Sequence, residues 1–187
     1  RNKHVYVQKP LAHNVKEARY LTLLAKKQKV VTQMGNQGSS NPDQKIIQKW
    51  IKDGKIGKVY SVDGWTDRPV WPQGNNLSNP DNSKKPEGMD WDLWVGPEKN
   101  NGYIPGLHAF DWRGYWDYGT GSLGDMGCHL MDVPIKALGL FDPYSVEASI
   151  SRLPYVRSYT PADVSSSSVP ASSIVTYRFN PSKLNDS

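Results

Sequence analysis

The chain has 187 residues, 37% of them hydrophobic before its 16 glycines are counted, which is enough for a sizeable core and excludes a fibre, a disordered chain or a very small disulfide scaffold. A formal charge of +5 arises from 23 Lys plus Arg against 18 Asp plus Glu, spread along the length without the cationic stripe of a nucleic-acid binder. The single cysteine, Cys128, has no internal partner and no CxxC neighbour, and no apolar run approaches the ~18–20 residues of a bilayer-spanning helix, so neither a disulfide framework, a metal site nor a membrane partner is expected.

The opening run His4-Val5-Tyr6-Val7 reads as a short strand stopped by Lys9-Pro10, because proline cannot continue a ladder. A helix follows: Asn14 is a cap with Glu17 in capping-box register, and Val15, Ala18, Leu21 and Leu24/Ala25 recur at helical spacing. Lys26, Lys27 and Lys29 suit a helix C-terminus, and Val30 to Gln33 makes a second strand. Strand, crossover helix, strand is the grammar of a parallel α/β sheet. A second helix is marked by the Asn41 cap, Pro42 in the first turn, apolar Ile46, Ile47, Trp50 and Ile51, and Gly54 beyond its end.

The alternating segment Lys58 to Trp65 predicts another strand. From about Thr66 to Gly114 periodicity vanishes in a stretch rich in Pro, Asn, Gly and tryptophan, which predicts either a small packed core or an aromatic platform for a sugar ring. A helix is expected from roughly Gly124 to Gly139, kinked or shortened by Pro134. Strands are expected at Ser145 to Arg152 and Ser172 to Phe179, separated by the polar stretch Ser158 to Ser168, within which Ser165 to Ser168 reads as a solvated hairpin loop.

Gly119-Thr120-Gly121-Ser122-Leu123-Gly124 fits G-x-G-x-x-G letter for letter, but the dinucleotide fingerprint works only after a strand. Here it follows an aromatic loop, so a close-packing entry to a helix is expected. Asp125 and His129 stand four apart on that helix, where a carboxylate can orient an imidazole for proton transfer; the bland alternative is a helix-start acid and a satisfied histidine. Asp132 reads as a surface or capping group. Lys9 lies at the carboxyl end of a presumptive parallel strand, where α/β sheets bind ligands, although a lysine that merely reaches water is the commoner case. Arg113 with neighbouring Asn and Asp residues would serve as hydroxyl partners beside the aromatic loop.

Four segments taken together resemble the Gfo/Idh/MocA oxidoreductases: Lys3-His4-Val5-Tyr6-Val7-Gln8-Lys9-Pro10-Leu11, Val31-Thr32-Gln33-Met34-Gly35-Asn36-Gln37, Gly54-Lys55-Ile56-Gly57-Lys58-Val59, and Gly124-Asp125-Met126-Gly127-Cys128-His129-Leu130-Met131-Asp132. Trp91 to Pro97 and Trp112-Arg113 to Gly121 are similar to the bacterial branch that handles sugars. The resemblance implies an α/β (α+β) chain: residues 1–38 form the C-terminal remnant of a Rossmann dinucleotide-binding domain, and residues 39–187 form a substrate-binding α/β domain with a mostly antiparallel sheet.

It also implies catalytic roles for Lys9, Asp125 and His129, cofactor binding by Lys9, Pro10 and Asn36, and substrate binding by Trp112, Arg113, Asp125 and His129, with no metal. The implied reaction is hydride transfer between a sugar or polyol carbinol carbon and the nicotinamide of NAD or NADP, with His129 exchanging the hydroxyl proton and Lys9 polarising the oxygen. The implied partners are a small sugar or polyol and a second copy of the chain, as a homo-oligomer through the C-terminal sheet, in a soluble bacterial protein of cytoplasm or periplasm.

Two departures from the family pattern stand out. Gln8 replaces the glutamate of the Glu-Lys-Pro motif. The chain also reads as beginning inside the Rossmann domain and ending before its sheet is complete, so weak cofactor binding and an exposed strand edge prone to self-association are expected. A catalytically silent carbohydrate-binding fragment and an NAD-dependent glycoside-cleaving relative are the competing readings.

Overall fold

In the computed structural model, which describes residues 2–151 and 167–181, strands β1 (Val5–Gln8) and β2 (Thr32–Gly35) pair in parallel, with helix α1 (Val15–Gln28) as their crossover. The register runs from Val5 opposite Thr32 to Gln8 opposite Gly35, and the Lys9 N–H prolongs it to the Gly35 carbonyl at 3.2 Å. Asn14 Oδ1 accepts the Glu17 N–H at 2.9 Å, as its position predicts. The Glu17 carboxylate in turn accepts the His13 N–H, one residue earlier than a capping box requires. Lys29 closes the helix in the left-handed region at φ 53°, its N–H reaching the carbonyls of Ala25 and Lys26.

Helix α2 (Pro42–Lys52) starts as expected, with Asn41 Oδ1 accepting the Asp43 N–H and Pro42 placed where no donor is needed. The strand expected at Lys58 to Trp65 is absent: the segment has no ladder partner among the described residues, and Tyr60 and Trp65 are 85% and 80% exposed. Alternation decides which way side chains face, but a strand exists only where a neighbour takes its N–H and C=O groups.

The chain forms two units. The first comprises residues 1–65, 126–147 and 176–187, and the second residues 66–125 and 148–175. In the second unit the supposedly irregular stretch holds a short helix, α3 (Trp91–Val95), capped by Asp90 through the Leu93 N–H. Trp91, Val95, Tyr103, Ile104, Leu107 and Tyr115 form a buried cluster there. Trp91 stacks on Trp94 at 4.6 Å between ring centres and meets Tyr103 edge-on at 5.0 Å, while its indole N–H donates to the Gly102 carbonyl. Of the two expectations for the aromatic loop, core packing is the one this cluster fulfils.

Residues beyond this loop form two helices instead of one, α4 (Gly121–Leu130) and α5 (Asp132–Leu138), with Met131 between them and Pro134 in the first turn of α5. The start lies three residues before the expected Gly124, because Gly121 itself, at φ 63°, turns the chain into the helix. In the first unit α2 packs against α5. Strands β3 (Ser145–Ser151) and β4 (Ser172–Arg178) pair antiparallel, with the Tyr144 N–H on the Arg178 carbonyl at 2.8 Å.

The architecture is therefore mixed α/β, with two small sheets among the described residues, one parallel and one antiparallel. Arg152 and the loop expected from Ser158 onward lie outside the described residues up to 166. Ser168, expected in solvent, is instead buried: its Oγ accepts the Gly74 N–H at 2.6 Å and donates to the Gly114 carbonyl at 2.9 Å.

Candidate active site

Lys9 and Asn36 are the first residues beyond the carboxyl ends of β1 and β2, the position at which parallel sheets present ligand-binding groups. Pro10 follows Lys9 across a cis peptide bond. Gly35 is closely approached here: a Cβ would lie 2.8 Å from Gln8 Oε1 and 3.1 Å from the Tyr6 hydroxyl, so both side chains would have to shift. Gln8, the residue that departs from the motif, thus lays its amide over the end of the neighbouring strand. Asn36 donates from Nδ2 to the Cys128 carbonyl at 2.8 Å, while its Oδ1 is buried with no hydrogen-bond partner. The cofactor-side candidates and the residue next to His129 therefore meet within the first unit.

The turn after Asn36 is clamped by a cluster that sequence reasoning missed. Ser39 Oγ donates to Asp132 Oδ2 at 2.5 Å, Lys136 Nζ lies 2.9 Å from Asp132 Oδ1, and the same ammonium donates to Ser39 Oγ at 3.0 Å. Gln44 Nε2 donates to the Gly38 carbonyl at 2.7 Å. Partial burial raises the affinity of Asp132 for a proton, but hydrogen bonds from Lys136 and Ser39, the Lys136 charge and Gln44 outweigh it and hold the carboxyl below its ordinary range. Asp132 is thus a partly buried hub instead of the surface or capping group its position suggested. Its spacing of four from Lys136 was the available signal; Ser39 had none.

In the second unit the entry to α4 explains the glycine motif. A Cβ on Gly119 would sit 2.7 Å from the Arg113 backbone, and one on Gly121 would sit 2.6 Å from Val169 Cγ2. No strand precedes the motif, and the glycines serve close packing, as its aromatic context predicted. Gln73 was also unforeseen. Its Oε1 accepts both the Trp71 indole N–H at 2.9 Å and the Ser122 N–H at 3.1 Å, satisfying a donor at the start of α4, and its Nε2 donates to the Pro170 carbonyl at 2.5 Å.

Asp125 and His129 lie one turn apart on α4. Arg113 Nε pairs with Asp125 Oδ1 at 3.3 Å, and the guanidinium lies over the rings of Trp112 at 4.4 Å and Phe110 at 4.5 Å. Trp112 is partly buried against the core cluster, so its ring faces Arg113 and the core. An open cavity of about 640 Å³ in this unit is lined by residues such as Asn82, Lys85, Asp90 and Asn100; none of the expected site residues lines it.

Residues 40–151, more than half of the chain, match the family described as an oxidoreductase family, C-terminal alpha/beta domain. The class is therefore that of an oxidoreductase α/β domain. The chain belongs to the Gfo/Idh/MocA family, whose members generally use NAD(P). No curated protein matches the chain.

Proposed function

We propose that this chain is the catalytic and substrate-binding part of an NAD(P)-dependent oxidoreductase acting on a carbinol carbon of a sugar or polyol. In this reading residues 1–38 close a Rossmann dinucleotide-binding domain and residues 39–187 form the substrate domain, which also supplies the contact of a homo-oligomer. One chain of contacts carries the reading: Lys9 N–H on the Gly35 carbonyl, then Asn36 Nδ2 on the Cys128 carbonyl. It links the strand end bearing the lysine to the helical stretch bearing the imidazole.

Lys9, Pro10 and Asn36 are the residues that would hold the nicotinamide end of the cofactor. The buried, unpartnered Asn36 Oδ1 fits this role, because a carboxamide N–H is the donor it lacks. Bound nicotinamide supplies the hydride acceptor or donor. The chain's own residues handle the proton: His129 takes it from the substrate hydroxyl, Asp125 orients the imidazole from one turn away, and the Lys9 ammonium polarises the oxygen. Trp112 and Arg113 are assigned to the substrate; Arg113 pairs with Asp125 and lies over the Trp112 ring.

The test is reduction of NAD and NADP by the protein across a panel of neutral sugars and polyols. Lys9→Met and His129→Asn are each expected to lower kcat by roughly 10²–10⁴-fold with an unchanged circular dichroism spectrum. Near-normal turnover in both variants removes the assignment.

A further inference from the structure

We infer that Arg113 is a positioning residue, whose guanidinium holds the Asp125 carboxylate in one place on α4. The catalytic consequence rests on the function proposed above; the geometry does not. The guanidinium lies over the rings of Trp112 at 4.4 Å and Phe110 at 4.5 Å, with Trp71 at 5.9 Å as a third ring. Its edge is fixed: Nη1 donates to the Phe110 carbonyl at 3.0 Å, and Nε faces Asp125 Oδ1 at 3.3 Å. The two side chains are only 23% and 13% exposed, so the pair is far less screened than a surface ion pair.

Both ends of the pair sit on rigid supports. Gly119 lies so close to the Arg113 backbone that no Cβ fits between them, and Gln73 Oε1 holds the first turn of α4 through the Ser122 N–H. A carboxylate gripped this way has few rotamers left, which is what a group that must orient a neighbour requires. Lysine would supply the charge but neither a flat surface to lie over the rings nor two donors on one plane.

Two measurements test the inference. In the chain itself, the Arg113 Nε–H resonance in ¹⁵N NMR should exchange with water about tenfold more slowly than exposed arginines. Asp125→Ala should abolish that protection; absent protection, or protection that survives Asp125→Ala, overturns the pairing. In the active enzyme, Arg113→Met and Arg113→Lys should each lower kcat roughly 10–100-fold with sugar KM changed less than about threefold. The double variant Arg113→Met/Asp125→Ala should be no slower than Asp125→Ala alone. An additive loss, an effect confined to KM, or full turnover in Arg113→Lys overturns the positioning role. If no sugar or polyol is turned over at all, the functional reading fails, and the NMR measurement decides the pairing by itself.

Discussion

Asn36 donates from Nδ2 to the carbonyl of Cys128, 92 positions further along the chain, at 2.8 Å. The bond joins the end of β2 to the stretch of α4 that carries His129. Asn36→Asp puts an oxygen where the donor stood, facing a carbonyl, and is expected to cost about 1–3 kcal/mol in urea unfolding. It should also weaken NAD(P) binding measured by calorimetry, since the same side chain is assigned to the cofactor side.

The Asp132 hub makes stability depend on acid. Its folded-state carboxyl titrates below the ordinary 3.8, so the unfolded chain takes up the proton first as pH falls. The contribution is complete above that ordinary value and is lost as pH drops through the lower, folded-state value. Thermal unfolding of the protein followed from pH 6 downward should therefore show a loss below about pH 4 that Asp132→Asn lacks. At neutral pH Asp132→Asn is expected to be less stable by about 1–3 kcal/mol, since it weakens the hydrogen bonds from Ser39 and Lys136.

Gly121→Ala combines two penalties. The backbone sits at φ 63°, and the added Cβ would meet Val169 Cγ2 at 2.6 Å and Gln73 Oε1 at 2.9 Å. Gly57→Ala has a similar φ of 72° but nothing within 4 Å. Denaturant titration should give a loss of about 1–2 kcal/mol for Gly57→Ala and a clearly larger one for Gly121→Ala.

Trp91 and Trp65 have opposite surroundings. Trp91 is 5% exposed within the aromatic cluster, and Trp91→Ala should cost about 3–5 kcal/mol. Trp65 lies in the extended segment that failed to become a strand, and Trp65→Ala should change stability by about 0.5 kcal/mol or less. Parallel chemical denaturation of the two variants checks both.

The legible parts of the fold were those governed by neighbours in sequence. Asn14, Asn41 and Pro42 mark helix starts because capping is a local hydrogen-bond problem, and the β1–α1–β2 unit followed from the apolar runs on either side of the Asn14-capped helix. Pro134 correctly foretold a break after α4. What stayed hidden depends on distant partners. The Lys58 to Trp65 run lacks a neighbouring strand, Gln73 works only through Trp71, Ser122 and Pro170, and Ser39 meets Asp132 from 93 positions away. At the candidate site, the strand-end lysine and the Asp125/His129 spacing could be read directly. That Arg113 engages Asp125 could not, because nothing in the spacing of 12 aims a loop side chain at a helix.

Every residue of β1 and all but the last two of β2 face solvent, and α1 and α2 bury none of theirs. The tryptophan-bearing stretch without periodicity holds most of the buried apolar side chains. Amide protons should therefore outlast one another in reverse of textual clarity, with those around Leu107 and Tyr115 surviving in deuterated buffer long after those of the opening βαβ unit are gone. The passage hardest to parse is the best-packed part of its own unit.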